Sequence, residues 1–395
     1  MLDSYRRILS VPGGLRFSTA AFVARLPISM MGLGIVLLVA AGTGSYGLAG
    51  SVSAAYVVAN ATLSILQGRL LDRLGQARVL APAAVLFTFS SGLLVVSVDA
   101  GWARWATYLL AACSGATLPA AGACVRARWS YVLAGRPADL QTAFALEAVV
   151  DEAVFITGPI LVTLLATAID PGVGLAAAVA SGLVGTLALA LQRRTEPPVS
   201  AAAEDDPAAA RAGLPWRTLV PLLAVAVGLG CLFGAAEVVT VAWAEERGNQ
   251  VYAGPLLALW ALGSLAAGVV TGAVHWRQGP AVRLRWGAAG MCAAMAPLSF
   301  IGSVPIMGLA LLVGGLAIAP TLIAATSLTE QVVPPARLTE GMTVLQTAIV
   351  GGVAPGAAVA GLVVDRAGSG PAYLVALAAG AVAAVAAQAV PRSGQ

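Results

Sequence analysis

The chain has 395 residues, of which 59% are hydrophobic and only 10% charged, with a formal net charge of +4. An ordinary soluble domain carries about 25% charged residues, and no single aqueous core could hide this much apolar surface. The bulk solvent of the chain is therefore lipid, and so small an excess of charge is no signal of a nucleic-acid partner, so none is expected.

A helix needs about 20 apolar residues to cross a hydrocarbon core about 30 Å thick. Twelve runs meet that need, near 17–40, 46–71, 79–98, 104–125, 142–168, 172–191, 217–242, 252–274, 284–301, 304–328, 339–364 and 371–390. They are long and unbroken, unlike the short alternating strands of a membrane barrel. The first run follows Arg6 and Arg7 but continues to Val39, too long for the core of a signal peptide, so it is expected to be a retained span. With the N-terminus in the cytoplasm, 18 of the 22 arginines fall in cytoplasmic segments; Arg104, Arg247 and Arg366 lie outside and Arg25 lies within a span. This asymmetry follows the positive-inside rule. It predicts an all-α, multi-pass protein of a bacterial cytoplasmic (inner) membrane, with twelve transmembrane helices and both termini cytoplasmic.

Residues 192–216 interrupt the pattern with a polar, proline- and alanine-rich stretch. We read it as a cytoplasmic linker between two six-helix bundles, residues 1–191 and 217–395. The halves echo each other at an offset of about 200 residues. Gly115 and Pro119 in the fourth span correspond to Gly315 and Pro320 in the tenth. Leu146-Glu147 and Gly158-Pro159 in the fifth correspond to Leu345-Gln346 and Pro355-Gly356 in the eleventh. Parallel repeats of this kind place a transport site between the halves near the membrane midplane.

The loop after the second span reads Gly68-Arg-Leu70-Leu-Asp72-Arg73-Leu-Gly75-Gln76-Ala77-Arg78. It resembles the signature loop of the major facilitator superfamily: Gly68, Leu70, Asp72, Arg73 and Gly75 match, Gln76 and Ala77 depart from the usual basic pair, and Arg78 stands close by. A second copy would follow the eighth span; Gly268 remains there, but Gly272 occupies the aspartate position. Asp72 lies near a helix C-terminus, where the macrodipole disfavours an anion, so it needs Arg73, Arg78 or another helix's N-terminus beside it. The resemblance implies that the start of the eleventh span supplies that N-terminus. Gly68, Asp72, Arg73, Gly75 and Arg78 would then form a latch that holds the outward-open state and breaks on inward opening.

The fifth span carries three carboxylates, Glu147, Asp151 and Glu152, in one apolar helix. A charge at the bilayer centre costs about 2.5–3.5 kcal/mol on insertion scales, so these groups must be paired, protonated or open to a cavity. Glu147 and Asp151 are four apart and share a helix face. Arg25 is the expected partner: it lies about 14 Å along its helix from Arg16, and Asp151 about 15 Å from Gln141, both counted from the cytoplasm at 1.5 Å per residue. One arginine cannot neutralise three acids, so at least one is expected to hold a proton. Glu147, the shallowest, has an alternative as a carboxylate facing cytoplasmic water. Gly158-Pro159 resembles the kernel of the drug/proton antiporter signature, without its flanking glycines, and permits a kink and close packing.

Phe233 and Glu237 on the seventh span, Tyr56 and Asn60 on the second, and Gln346 on the eleventh are candidate cavity residues; each, like Gln67, could instead be interhelical hydrogen-bond glue. Arg126-Ala127-Arg128-Trp129 reads as an anchor at headgroup level. Cys113, Cys124, Cys231 and Cys292 lie in apolar runs and read as small hydrophobes. With His275 as the single histidine, no metal site is expected, and no cofactor either, the energy source being a proton gradient. No nucleophile–base pair or phosphate-binding loop suggests an enzyme. The expectation is a monomeric secondary transporter of efflux type, exporting a small molecule by proton-coupled alternating access. A metabolite importer or uniporter on the same fold is an alternative, and a membrane receptor or scaffold without transport is another.

Overall fold

The computed structural model describes residues 2–44, 46–199, 213–247, 252–274 and 276–391. His275, Arg211, Arg392 and the middle of the linker lie outside the described residues. Fifteen α-helices account for most of the rest: α1 Leu2–Leu9, α2 Gly14–Thr43, α3 Tyr46–Leu74, α4 Gln76–Asp99, α5 Arg104–Thr117, α6 Ala121–Val132, α7 Pro137–Ala168, α8 Pro171–Ala190, α9 Trp216–Glu246, α10 Ala253–Ala273, α11 Pro280–Met295, α12 Val304–Gly315, α13 Ile318–Val332, α14 Leu338–Ala367 and α15 Ser369–Gln388. The all-α membrane fold expected from the apolar runs is what the chain adopts. Among the described residues, eleven segments are long and apolar enough to span a membrane, with α5–α6 and α12–α13 each taken as one.

The differences from the expected spans have local causes. The fourth is broken at residues 118–120, because Pro119 has no N–H and bars Leu118 from helical backbone; Leu118 sits at ψ 121°. Gln67 covers the break, donating to the Leu118 carbonyl at 3.3 Å and accepting from the Ala120 N–H at 2.6 Å. The tenth is broken near residue 316. The ninth, expected over 284–301, starts at Pro280 instead. It stops after 16 residues, and a 3₁₀ turn with Pro297 in its first turn, Ala296–Phe300, follows.

Small residues set the helix spacing. A methyl group added at Gly115 on α5 would run into the Tyr56 carbonyl of α3, and one at Gly234 on α9 into the Val353 carbonyl of α14. Within the N-terminal half α2 packs on α8, α7 and α3; within the C-terminal half α9 packs on α14 and α15. The halves meet where α3 touches α14 and where α7 touches α10 and α13.

That seam lies at one end of the molecule, the end bearing the 68–78 loop. Gly68 backs onto Glu340 and Thr343, and the hydroxyls of Ser64 and Thr347 meet at 2.9 Å. Further from the loop than that pair, no hydrogen bond joins α3 to α14 among the described residues. The spanning windows of α3, α7 and α14 are only 17% buried, the lowest of the eleven. Their far halves therefore face lipid or open space, as Val58, Phe155, Ile160 and Val359 do.

A buried charge network and an inter-half latch

The break at Pro119 aims α6 into the bundle, and there it meets α2 and α7. Arg25, buried on α2, donates from Nη2 to Glu147 Oε2 at 2.6 Å and from Nη1 to Asp151 Oδ1 at 2.8 Å. Its Nε donates to the Ala21 carbonyl at 3.1 Å. Glu147 is fully buried, and its other oxygen accepts from Trp129 Nε1 at 2.8 Å and Ser18 Oγ at 3.2 Å. Asp151 Oδ2 is held by Arg126 Nη2, while Arg126 Nη1 donates to the Gly122 carbonyl at 2.9 Å. Two arginines thus face two carboxylates, each carboxylate oxygen has a donor, and the desolvation cost of the ions is offset by direct pairing.

This geometry corrects three expectations. Arg126, Arg128 and Trp129 are not headgroup anchors; all three are buried. Trp129 packs edge-on against Phe17, with centroids 4.5 Å apart. Arg128 donates to Gln76 Oε1 at 2.7 Å, the Gln192 carbonyl at 2.8 Å and Thr195 Oγ1 at 3.0 Å. Glu147 does not face cytoplasmic water. Arg25 is not the sole cation either, because Arg126 completes the charge balance for Glu147 and Asp151.

Glu152 stands outside that balance. It is half-buried at the seam, near Ser264 of α10, with no ion-pair partner among the described residues. About two turns further, at 3.6 residues per turn, α7 runs through Pro159 without interruption. Gly158 lets α2 approach: a methyl there would strike Ser29, whose hydroxyl donates to the Val154 carbonyl at 2.9 Å.

At the loop, Asp72 accepts from the Thr339 N–H at 3.1 Å and from the Glu340 N–H at 2.8 Å. These are orphan donors in the first turn of α14, where the helix dipole favours an anion. Arg73 and Arg78 are exposed and form no ion pair among the described residues, so neither is the partner of Asp72. The cations act one step away: Arg69 of α3 and Arg337 pair with the buried Glu340, the latter at 2.7 Å. Gly75 takes φ 91°, a left-handed turn that glycine adopts without strain, before α4. There Glu196, from the start of the linker, accepts from the Ala77 N–H at 3.0 Å.

The remaining candidates divide. Tyr56 is buried and Asn60 donates to the Gly115 carbonyl at 3.1 Å, so both belong to the α3–α5 contact. Phe233 packs edge-on against Trp260 of α10, centroids 5.7 Å apart. Glu237, one turn on, is exposed without a partner among the described residues. It lies between the α9 faces that meet α10 and α14, on the side opposite α15, given about 100° per residue. Gln346 is half-buried one residue before the Ser64–Thr347 contact. Arg69, Arg126, Trp129, Glu196, Ser264 and Glu340 were not picked out from sequence as members of these clusters. Arg126 carried one signal, its place seven residues after a helix-breaking proline at the end of an apolar run.

Comparison with curated protein sequences finds no match. Among solved structures, the chain is similar to the human organic anion transporter MFSD10 (TETRAN), with 18% identity and a TM-score of 0.74, over 97% of this chain and 99% of that one. It is similar to a bacterial homologue of the iron transporter ferroportin in an outward-facing state, with 14% identity and a TM-score of 0.74, over 95% and 98%. It is also similar to the proton:xylose symporter XylE, with 16% identity and a TM-score of 0.67, over 95% and 96%. The sequence profile of the Major Facilitator Superfamily matches residues 17–349. The chain therefore belongs to the Major Facilitator Superfamily, as a multi-pass membrane transporter rather than an enzyme.

Proposed function

We propose that the protein is a proton-coupled exporter of cationic or neutral amphiphilic small molecules, working by alternating access in a bacterial cytoplasmic membrane. Residues 1–191 and 217–395 act as two bundles that rock about a central site, with residues 192–216 as the tether. The 68–78 loop faces the cytoplasm, and its latch holds the closed cytoplasmic side while the far side is open.

The observation that carries this reading is the position of Glu152. Among the described residues it is a carboxyl without a cation, at the seam near Ser264 and next in sequence to the arginine-bridged Asp151. Closure of the seam removes water around it and favours its protonated form; opening re-solvates it and favours release. Arg25, Arg126, Glu147 and Asp151 supply the fixed, balanced field beside it. Glu237, with Phe233 and Trp260, gives the outer part of the cleft an acid and an aromatic wall, which suits a cation with an apolar body. No resident cofactor is required, and the unit that acts is one chain.

The test uses inside-out vesicles carrying the overexpressed protein, a pH-sensitive fluorophore and a panel of lipophilic cations. Wild-type protein should release protons from the vesicle lumen when a transported cation is added. Glu152→Gln should bind the cation without moving protons. Full proton-linked flux in Glu152→Gln would overturn the assignment.

A further inference from the structure

The latch at Asp72 closes only one side of the seam. By the offset that relates the halves, position 272 on α10 should hold the matching aspartate, aimed at the start of α7. Gly272 stands there instead, and the space is taken: a methyl at Gly272 would collide with the Tyr5 hydroxyl and with the Ala145 side chain. Tyr5 belongs to α1. Its hydroxyl lies 3.0 Å from the Val269 carbonyl and 3.3 Å from the Gly268 carbonyl, both on α10. Ile8 of the same helix is fully buried, and Arg7 pairs with Asp139 at the start of α7 at 3.6 Å. One short helix therefore touches both sides of the α7–α10 seam. Beside it Thr142 donates to the Gly272 carbonyl at 2.7 Å, one of the orphan acceptors at the end of α10. Gln141, with its amide assigned so that the oxygen meets the neighbouring donors, accepts from Arg283 Nη1 at 3.0 Å and Trp276 Nε1 at 3.2 Å.

We propose that α1 is a strap that closes the second side of the cytoplasmic gate, with Tyr5 and Thr142 as its positioning residues in place of the lost aspartate. The two latches use opposite helix ends. At α14 a carboxylate meets N–H donors at a helix N-terminus; at α10 hydroxyl donors meet carbonyls at a helix C-terminus. Inward opening then needs both to release, and a change in α1 alone shifts the balance of states. The inference rests on the alternating-access reading above.

The experiment needs no substrate. Cys113, Cys124, Cys231 and Cys292 are replaced by serine, and a reporter cysteine is placed at Val149→Cys, which faces Gly268 across the seam, or at Thr347→Cys on the other side. A membrane-impermeant maleimide is applied from the cytoplasmic face of inside-out vesicles. Loss of one or two such hydrogen bonds should raise the labelling rate about two- to ten-fold. Tyr5→Phe should do so at both reporters, Thr142→Val likewise, with an unchanged gel-filtration profile. If Asp72→Asn speeds labelling and neither Tyr5→Phe nor Thr142→Val does, the strap is wrong and alternating access stands. A rise confined to Val149→Cys makes α1 a local cover and also overturns the strap. If Asp72→Asn is without effect as well, the seam is not a moving gate and both readings fall.

Discussion

Trp129 donates its indole N–H to Glu147 at 2.8 Å, on the face of α7 that also receives Arg25. An aromatic residue in an arginine-rich stretch is thus a fixed donor to a buried carboxylate, and it sits there because Pro119 ends α5 and redirects α6. Trp129→Phe keeps the edge-on contact with Phe17 and deletes the donor. A buried acceptor left short of a partner costs about 1–3 kcal/mol. The variant should melt lower in detergent than wild type; an equal melting temperature would mean that Ser18 and Arg25 suffice for Glu147.

Arg126→Met removes one of the two cations on Asp151. Breaking a buried ion pair costs about 3–5 kcal/mol. The low end applies here, because Asp151 keeps Arg25 and its side chain is 30% exposed. Thermal unfolding should show the loss, and Asp151→Asn in the same background should recover part of it by removing the stranded charge. Absence of recovery would argue that the two groups do not interact.

Asp72→Asn keeps one acceptor for the first turn of α14 but loses the charge that the helix dipole favours. Charge-assisted hydrogen bonds are worth about 1.5–3 kcal/mol, so the inward-open population should rise about ten-fold or more. Double electron–electron resonance between labels on α3 and α14, placed at the loop end, would read this as a longer-distance component. An unchanged distance distribution would remove the latch from the mechanism.

Glu237→Gln should separate function from stability. The side chain is exposed and unpaired among the described residues, so unfolding should shift by no more than about 0.5 kcal/mol. Uptake or efflux of lipophilic cations should fall while that of neutral substrates persists. Equal loss for both classes would count against a charge-recognition role.

Gly234→Val places a carbon bearing two methyl groups where the Val353 carbonyl of α14 already lies. Overpacking typically costs about 1–3 kcal/mol, and here the obstacle is backbone, which cannot rotate away. A reduced yield of folded protein and a lower melting temperature are expected. Gly254→Val, whose added carbon meets open space, is the matched control.

The chain alone disclosed the membrane-spanning segments, the signature loop and the acids of α7. Each is a local property: transfer of a helix into lipid sums over about 20 consecutive residues, and a motif is a string. Asp72 could be read as needing a helix N-terminus because its own helix end repels it. Arg25 could be matched in depth to the acids of α7, but that Arg126 shares them was not readable. That depends on how far α6 is rotated after Pro119, and only folding brings Arg126 against Asp151 and leaves Glu152 facing Ser264. The same limit applies to Tyr5, whose partners lie more than 260 residues away. Contacts between helices are set by close approach at small residues and by crossing angle, and neither is carried by composition or spacing along a single segment.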